Sequence, residues 1–166
     1  MNTSIRLKLA ALRDADTIAN LAEITWYAHY PPIIGVDQVR YMLDKMYHID
    51  VLCGHISNGP QEFYLILDDG EPTGFIAVEM RLPDELFLQK LYVLPQMHRR
   101  GFGAGALNQI IEHYPHATCM RLQVNRQNIT AINFYFKRGY TIERAADFDI
   151  GDGYFMNDFV MLKQLR

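Results

Sequence analysis

A glycine-rich run lies where an apolar strand gives way to a helix. It reads His-Arg-Arg-Gly-Phe-Gly-Ala-Gly from His98 to Gly105 and follows the apolar segment 86–93. A helix N-terminus presents unpaired N–H groups and the positive end of the helix dipole, which together attract an anion. Glycine lets the backbone approach a phosphate closely, and Arg99 and Arg100 add positive charge. The run alone predicts a pyrophosphate site, with close helix–strand packing at the glycines as the alternative.

The spacing of the run does not fit the two best-known nucleotide loops. Gly101-x-Gly103-x-x-Ala106 satisfies the dinucleotide fingerprint G-x-G-x-x-G/A in letters only. That fingerprint needs its first glycine directly after the strand and an acidic residue about 20 positions further on. Here the loop 94–100 intervenes, and the segment 121–126 contains no acid. The Gly-Lys-Ser/Thr of a Walker loop is also missing.

A second motif follows the next predicted strand. It begins at Asn125, includes Asn128, Phe134 and Tyr135, and ends at Gly139. The two asparagine amides can cap a helix or pair with an amide of a ligand. By itself, the motif is equally typical of a capped amphipathic helix packed on a sheet.

Together, in this order, the two motifs resemble the GNAT N-acetyltransferase superfamily, and the resemblance extends from Ile5 to Leu162. It implies a mixed α/β fold: a central, mostly antiparallel sheet of roughly six to seven strands, with one splayed pair and about four flanking helices. It also implies transfer of an acetyl group from acetyl-CoA, by direct attack in a ternary complex, to a primary amine of a small molecule or peptide.

The resemblance implies a role for each cofactor residue. Backbone groups of Leu91 and Val93 would pair with the pantetheine amides, Asn128 would contact the cofactor arm, and Tyr135 would lie near the thioester sulfur. His98 stands where the family usually has Gln or Arg, so any side-chain contact there is in question. The implied cofactor-binding residues are Leu91, Tyr92, Val93, His98, Arg99, Arg100, Gly101, Phe102, Gly103, Ala104, Asn125, Asn128, Phe134 and Tyr135.

Acetyl transfer to an amine needs a base, an oxyanion donor and a proton for the leaving thiolate. The Tyr135 phenol suits the thiolate, and the resemblance implies the Val93 N–H as oxyanion donor. Glu79 and Glu85 are the candidate bases, although both could simply be solvated strand ends. Strand alternation predicts one shared face for Glu85, Gln89, Leu91 and Val93.

The acceptor pocket is expected from the first helices and the last hairpin. His29 and Tyr30 precede a Pro-Pro pair, and Tyr154 shares a strand face with Asp158. A carboxylate among aromatic rings can bind a cationic amine, which suggests a polyamine-like acceptor. An acyl-CoA-binding sensor without turnover is the alternative function.

Composition bounds the remaining possibilities. The chain of 166 residues suits one domain spanning 1–166, and its net charge of −3 argues against nucleic acid or an anionic membrane as the main partner. Two cysteines and an N-terminus without an apolar core favour a reducing, cytoplasmic location. No metal is expected, and the resemblance makes a homodimer possible.

The elements that must position these residues follow the order β-α-α-β-β-β-α-β-α-β-β. Asp-Gly at 69–70 and Gly-Asp-Gly at 151–153 predict hairpin turns. The predicted strands are 5–9, 63–67, 74–80, 86–93, 120–124, 140–148 and 154–162. The predicted helices are one that starts after Asp14 or Asp16 and is broken at Pro31, then 36–46, 103–114 and 129–138.

Overall fold

The computed structural model describes residues 5–166. Seven strands form one sheet in the order β1-β2-β3-β4-β5-β7-β6. The strands are β1 (Ile5–Leu9), β2 (Gln61–Asp68), β3 (Glu71–Leu82), β4 (Glu85–Val93), β5 (Cys119–Asn125), β6 (Thr141–Gly151) and β7 (Tyr154–Gln164). The α-helices are α1 (Ala15–His29), α2 (Pro31–Ile34), α3 (Val36–Tyr47), α4 (Ile49–Asn58), α5 (Phe102–His113) and α6 (Ile129–Phe136).

The sheet confirms the predicted mixed, mostly antiparallel architecture. β1 with β2, β2 with β3, β5 with β7 and β6 with β7 pair antiparallel, whereas β4 and β5 pair in parallel. The parallel register runs from Glu85 opposite Cys119 to Leu88 opposite Leu122 and stops there. Both strands continue beyond the last pair of this ladder.

The contacts divide the chain into two compact units. Unit 1 comprises the residues up to Glu79 together with Gln89–Pro115, and unit 2 comprises Met80–Leu88 together with His116–Arg166. The β3–β4 hairpin therefore contributes to both. No helix within residues 5–166 combines the length and the apolar character that crossing a membrane requires.

In unit 1, the apolar face of α1 is the predicted one. Ile18, Leu21, Ala22 and Trp26 are all buried, at the three- and four-residue spacing of a helix that packs along one side. The helix ends at His29, and α2 begins at Pro31, where the missing N–H of proline costs no helical hydrogen bond.

The turns and one helix show where local patterns are informative. Asp69 and Gly70 both have positive φ, 48° and 89°, as a two-residue hairpin turn requires. Helix α4 is absent from the predicted order, although Ile49, Leu52 and Ile56 carry helical spacing. Gly54 within the segment and the short length masked that pattern.

In unit 2, β5 alternates as a half-buried strand. Met120, Leu122 and Val124 are buried, and the intervening residues are partly exposed. The Tyr140 hydroxyl donates to Met120 Sδ at 2.8 Å, and burial raises the pKa of that phenol.

Candidate active site

The glycine loop combines both explanations that its sequence allows. Gly101 is the N-cap of α5 with φ 85°, a left-handed conformation that glycine adopts without strain, and a Cβ there would meet nothing within 4 Å. Gly105 differs, because a Cβ there would lie 2.6 Å from Ile5 Cδ1 where α5 packs on β1. Gly101 thus turns the backbone, and Gly105 permits packing.

The loop presents a helix N-terminus flanked by two arginines. α5 begins at Phe102, so the N–H groups of its first turn have no acceptor within the helix. Phe102 has a buried side chain and can offer only its backbone to a ligand. Arg100 shares its charge with Asp68, 3.6 Å away, and Arg99 holds φ 61°. This arrangement fits the pyrophosphate of coenzyme A.

His98 contacts the protein's own backbone. Its Nε2 lies 2.8 Å from the carbonyl oxygen of Val93, the last residue of β4. The ring therefore ties the start of the loop to the end of the strand. This contact accounts for a histidine at the position where the sequence leaves the family pattern.

The backbone of β4 has one edge turned away from β3. Leu94 N–H donates to the Thr73 carbonyl oxygen of β3 at 2.8 Å. Backbone groups alternate between the two edges of a strand, so Leu91 and Val93 direct theirs to the other edge. Gly74 allows the close approach of β3, because a Cβ there would collide with the Tyr92 carbonyl oxygen.

Tyr92 uses its side chain in an aromatic cluster of unit 1. Its ring centroid lies 5.6 Å from that of Phe75, 6.0 Å from that of Trp26 and 6.5 Å from that of Tyr47. Burial raises the pKa of the Tyr92 and Tyr47 phenols far above the ordinary tyrosine value. The prediction that Tyr92 contacts the cofactor therefore depends on its backbone.

His29 and Tyr30 lie at the end of α1 beside this cluster. The Tyr30 ring is 4.5 Å from that of Trp26 and 5.1 Å from that of His29. Trp26 Nε1 and His29 Nε2 are buried without a well-oriented hydrogen-bond partner within residues 5–166. Trp26 nevertheless lies close enough to Tyr47 to lower the pKa of the Tyr47 phenol. Polar nitrogens among aromatic rings suit the predicted acceptor pocket.

Glu79 is brought together with Gln89 in unit 1. Gln89 Nε2 donates to Glu79 Oε2 at 2.6 Å, and Lys90 Nζ donates to Gln61 Oε1 at 3.1 Å. Gln61 is the direct cross-strand partner of Glu79, so these two side chains share a face of the sheet.

The alternation predicted along β4 is therefore interrupted between Gln89 and Lys90. These residues are adjacent in the chain, yet both reach partners on one face, whereas consecutive residues of a regular strand point to opposite faces. Tyr92 packs against Phe75 on the same face as Lys90, so Leu91 and Val93 point to the opposite one. The face predicted for Gln89 therefore does not continue to Leu91 and Val93.

Glu85 lies in unit 2 and is held by an ion pair. Its buried carboxylate accepts a hydrogen bond from Arg121, which also donates to both carboxylate oxygens of Glu143 at 2.9 Å. The arginine occupies carboxylate lone pairs that a substrate ammonium would need. The ion pair favours Glu79 as the base.

Asn125 and Asn128 fold the start of α6. Asn128 Oδ1 accepts from Ala131 N–H at 3.2 Å as the helix N-cap, and Asn125 Oδ1 accepts from Gln127 N–H at 2.8 Å. The capping role expected from the sequence is confirmed. The Nδ2 group of Asn128 is the donor that this cap leaves for a ligand carbonyl.

Tyr135 is buried on α6 between two aromatic rings. Its ring lies 5.4 Å from that of Tyr140 and 5.1 Å from that of Phe134. The Arg138 guanidinium stacks 3.6 Å above the Phe134 ring and interacts electrostatically with Tyr135. Packing of this kind holds the phenol in a defined orientation.

Asp158 is a buried acid on β7, four residues after the partly buried Tyr154. It is 4% exposed and opposes Asn125, and no residue in the described range 5–166 makes a hydrogen bond to its carboxylate. Burial raises the pKa of Asp158 to about 6, Arg126 lowers it, and Asp147 raises it further. A buried carboxylate without a donor is suited to receive a cation.

Two charged residues were not singled out in the sequence. Lys90 is buried beside Glu79, and Arg121 holds Glu85. The sequence could have indicated Lys90, because a lysine stands inside the apolar segment 86–93 and a central strand seldom buries an ammonium. The alternation of β5 placed Arg121 outside the apolar face but could not name its partner.

Comparison with known proteins identifies the family. The profile of the Acetyltransferase (GNAT) family matches residues 20–140. An uncharacterized N-acetyltransferase of Mycobacterium tuberculosis is 25% identical over 156 residues, covering 93% of this chain and 99% of that protein. The spermidine N(1)-acetyltransferase of Thermoplasma acidophilum is 26% identical over 168 residues, covering 97% and 98%.

The fold is also similar to that of a solved N-acetyltransferase structure. The crystal structure of PaiA N-acetyltransferase from Thermoplasma acidophilum in complex with coenzyme A has a TM-score of 0.80 at 24% identity, over 97% of this chain and 99% of that one. The two sequence motifs, the mixed sheet and the family profile agree. The chain belongs to the GNAT family of N-acetyltransferases and is an acyltransferase.

Proposed function

We propose that the protein transfers the acetyl group of acetyl-CoA to a primary amine by direct attack in a ternary complex. The observation that carries this proposal is the left-handed N-cap Gly101 at the start of α5. Its backbone turn, with Arg99 and Arg100 beside it, suits the pyrophosphate. Leu91, Val93 and Asn128 hold the pantetheine arm in this proposal.

The chemical steps use three groups of this chain. The bound thioester supplies the acetyl group. Glu79 accepts the proton of the acceptor ammonium, which frees the nitrogen lone pair for attack. The Val93 N–H donates to the oxyanion as the carbonyl accepts the new bond. As the carbon–sulfur bond breaks, Tyr135 donates its proton to the departing sulfur, so that free coenzyme A leaves as a thiol. The proton that the new amide nitrogen loses then restores the Tyr135 phenol.

The acceptor is a cationic, polyamine-like amine in this proposal. Asp158, buried without a hydrogen-bond donor among residues 5–166, supports binding of an ammonium group, and His29, Tyr30 and Tyr154 supply rings for its alkyl chain and charge. The Thermoplasma relative named as a spermidine acetyltransferase supports the same class. We further expect a cytoplasmic protein able to form a homodimer.

The test is detection of free thiol from acetyl-CoA with a panel of spermidine, amino acids, aminoglycosides and N-terminal peptides. We expect turnover with spermidine, and we expect acetyl-CoA, unlike NADH, to raise Tm. A thermal shift with acetyl-CoA but no turnover on any amine would contradict the proposal and favour an acyl-CoA sensor.

A matched pair of glycine variants tests the loop. Gly101→Ala and Gly70→Ala introduce the same strain, since φ is 85° and 89° and neither Cβ meets an atom within 4 Å. Both should lower Tm by similar amounts. Only Gly101→Ala should weaken the acetyl-CoA shift, and equal weakening in both would remove the loop from cofactor binding.

A further inference from the structure

Lys90 is a buried charge that none of the proposed steps uses. Its side chain is 8% exposed, and its Nζ donates to Gln61 Oε1 at 3.1 Å. The ammonium also lies over two rings, 5.6 Å from the centroid of Tyr47 and 5.5 Å from that of Phe63. Burial of an ammonium is costly, so its retention inside a strand calls for a specific partner.

Glu79 supplies the opposite charge, because it lies directly across from Gln61, the residue that accepts the hydrogen bond of Lys90. Burial lowers the pKa of Lys90 to about 8, and the Glu79 charge opposes this shift. Both charges act on the pKa of His55 in α4. Burial and the Lys90 charge lower this pKa, and the Glu79 charge raises it. The groups that face Lys90 are therefore Glu79 from β3, His55 from α4, Tyr47 from α3, and Gln61 and Phe63 from β2.

We propose that Lys90 is a positioning residue whose buried ammonium is the counter-ion that holds the Glu79 carboxylate in place to accept the proton of the acceptor amine. The Gln89 amide fixes one carboxylate oxygen at 2.6 Å. The ammonium stabilises the negative charge from the adjacent residue. This inference rests on the proposed function, because it assigns Glu79 as the base.

The irregularity of β4 is what makes this arrangement possible. In a regular strand, Gln89 and Lys90 would point to opposite faces, and only one could act on Glu79. The break in alternation between Gln89 and Lys90 places an amide donor and an ammonium on the same side of the sheet. The strand thus supplies two supports for one carboxylate.

The first test requires no turnover. Titration of the His55 imidazole by NMR, assigned with His55→Gln, should show opposite shifts in two variants. Lys90→Met should raise the pKa of His55 and Glu79→Gln should lower it, each by roughly half a unit. Lys45→Met, on the exposed side of α3, should leave it unchanged. Shifts of the same sign, or none, would overturn the coupling.

The second test measures catalysis. Lys90→Met should lower kcat at least about tenfold while acetyl-CoA affinity stays the same, and Lys90→Arg should restore most of the loss. In a Glu79→Gln background, Lys90→Met should have little further effect, because the group it supports is gone. Additive losses, or a fully active Lys90→Met enzyme, would refute the positioning role.

The pH dependence adds a readout that a structural role would not change. Lys90 carries its charge below about pH 8, whereas arginine stays charged throughout. The ratio of wild-type kcat to that of Lys90→Arg should therefore fall as pH rises through 8, and a flat ratio would contradict the proposal. If no amine is acetylated by the wild type, the proposed function fails, and the His55 shifts still decide whether the charges are coupled.

Discussion

Lys90 in unit 1 and Asp158 in unit 2 are both buried with a displaced pKa, but their surroundings differ. Lys90 in unit 1 has a hydrogen bond to Gln61, two aromatic rings and an opposite charge on Glu79. Asp158 in unit 2 has no hydrogen bond within the described chain and lies near a like charge on Asp147. The supported charge suits a role inside the protein, and the unsupported one suits a role toward a cationic ligand.

The two charges also destabilise the fold in overlapping pH ranges. Asp158 is charged above about pH 6, and Lys90 is charged below about pH 8. Each displaced pKa means that the native state disfavours the charged form relative to the unfolded chain. Neutral pH is therefore where both costs are present together, as expected for residues retained for activity rather than stability.

The largest expected effect comes from Asp158→Asn. Because its native pKa of about 6 exceeds the unfolded value of 3.8, wild-type stability should fall as pH rises from 4 to 6. The variant should be more stable at pH 7 by up to about 3 kcal/mol and equal at pH 4. Denaturant unfolding at both pH values measures this, with the exposed turn variant Asp152→Asn as control. Equal stability of Asp158→Asn and wild type at pH 7 would show that the carboxylate has a partner.

Lys90→Met should give the opposite pH signature. The native pKa of about 8 lies below the unfolded 10.5, so the unfolded chain binds more protons between them, and wild-type stability should rise from pH 8 to 9.5. Methionine does not titrate, so this rise should shrink by about 1 to 2 kcal/mol in the variant. Unfolding curves at pH 7.5 and 9.5 test it, and an unchanged rise would place Lys90 in contact with solvent.

The functional consequences of the two variants should separate as well. Asp158→Asn should raise KM for spermidine roughly tenfold with a smaller effect on kcat, because it removes a binding charge. Lys90→Met should do the reverse. Steady-state kinetics at saturating acetyl-CoA give both constants, and loss of kcat alone in Asp158→Asn would make Asp158 a catalytic group.

The smallest effect on stability should come from Tyr135→Phe, a buried polar group without charge. Turnover should fall about tenfold while acetyl-CoA affinity holds, since the hydroxyl acts on the leaving sulfur. Stability should show no new pH dependence between 4 and 9. Unchanged turnover with a good amine would remove Tyr135 from the reaction.

The order of the strands along the chain, the hairpin turns and the capped helix α6 followed from local patterns. Asp69 and Gly70 adopt the backbone angles that their types favour, and Asn128 caps the helix that it precedes. Helix α4 was not predicted, because a glycine inside a short segment hides its periodicity. The face assigned to Gln89 did not continue to the end of β4, because counting by two cannot detect an irregular strand.

The sequence by itself determined the family and the glycine turn at the start of α5, because a left-handed glycine at a helix N-terminus depends on residues adjacent in the chain. Only the tertiary structure decided which carboxylate is available. Glu85 meets Arg121 from another strand, Glu79 meets Gln89 across a hairpin, and Asp158 meets no donor in the described chain. The reactivity of a carboxylate is set by its burial and its partners, and these come from residues far apart in sequence.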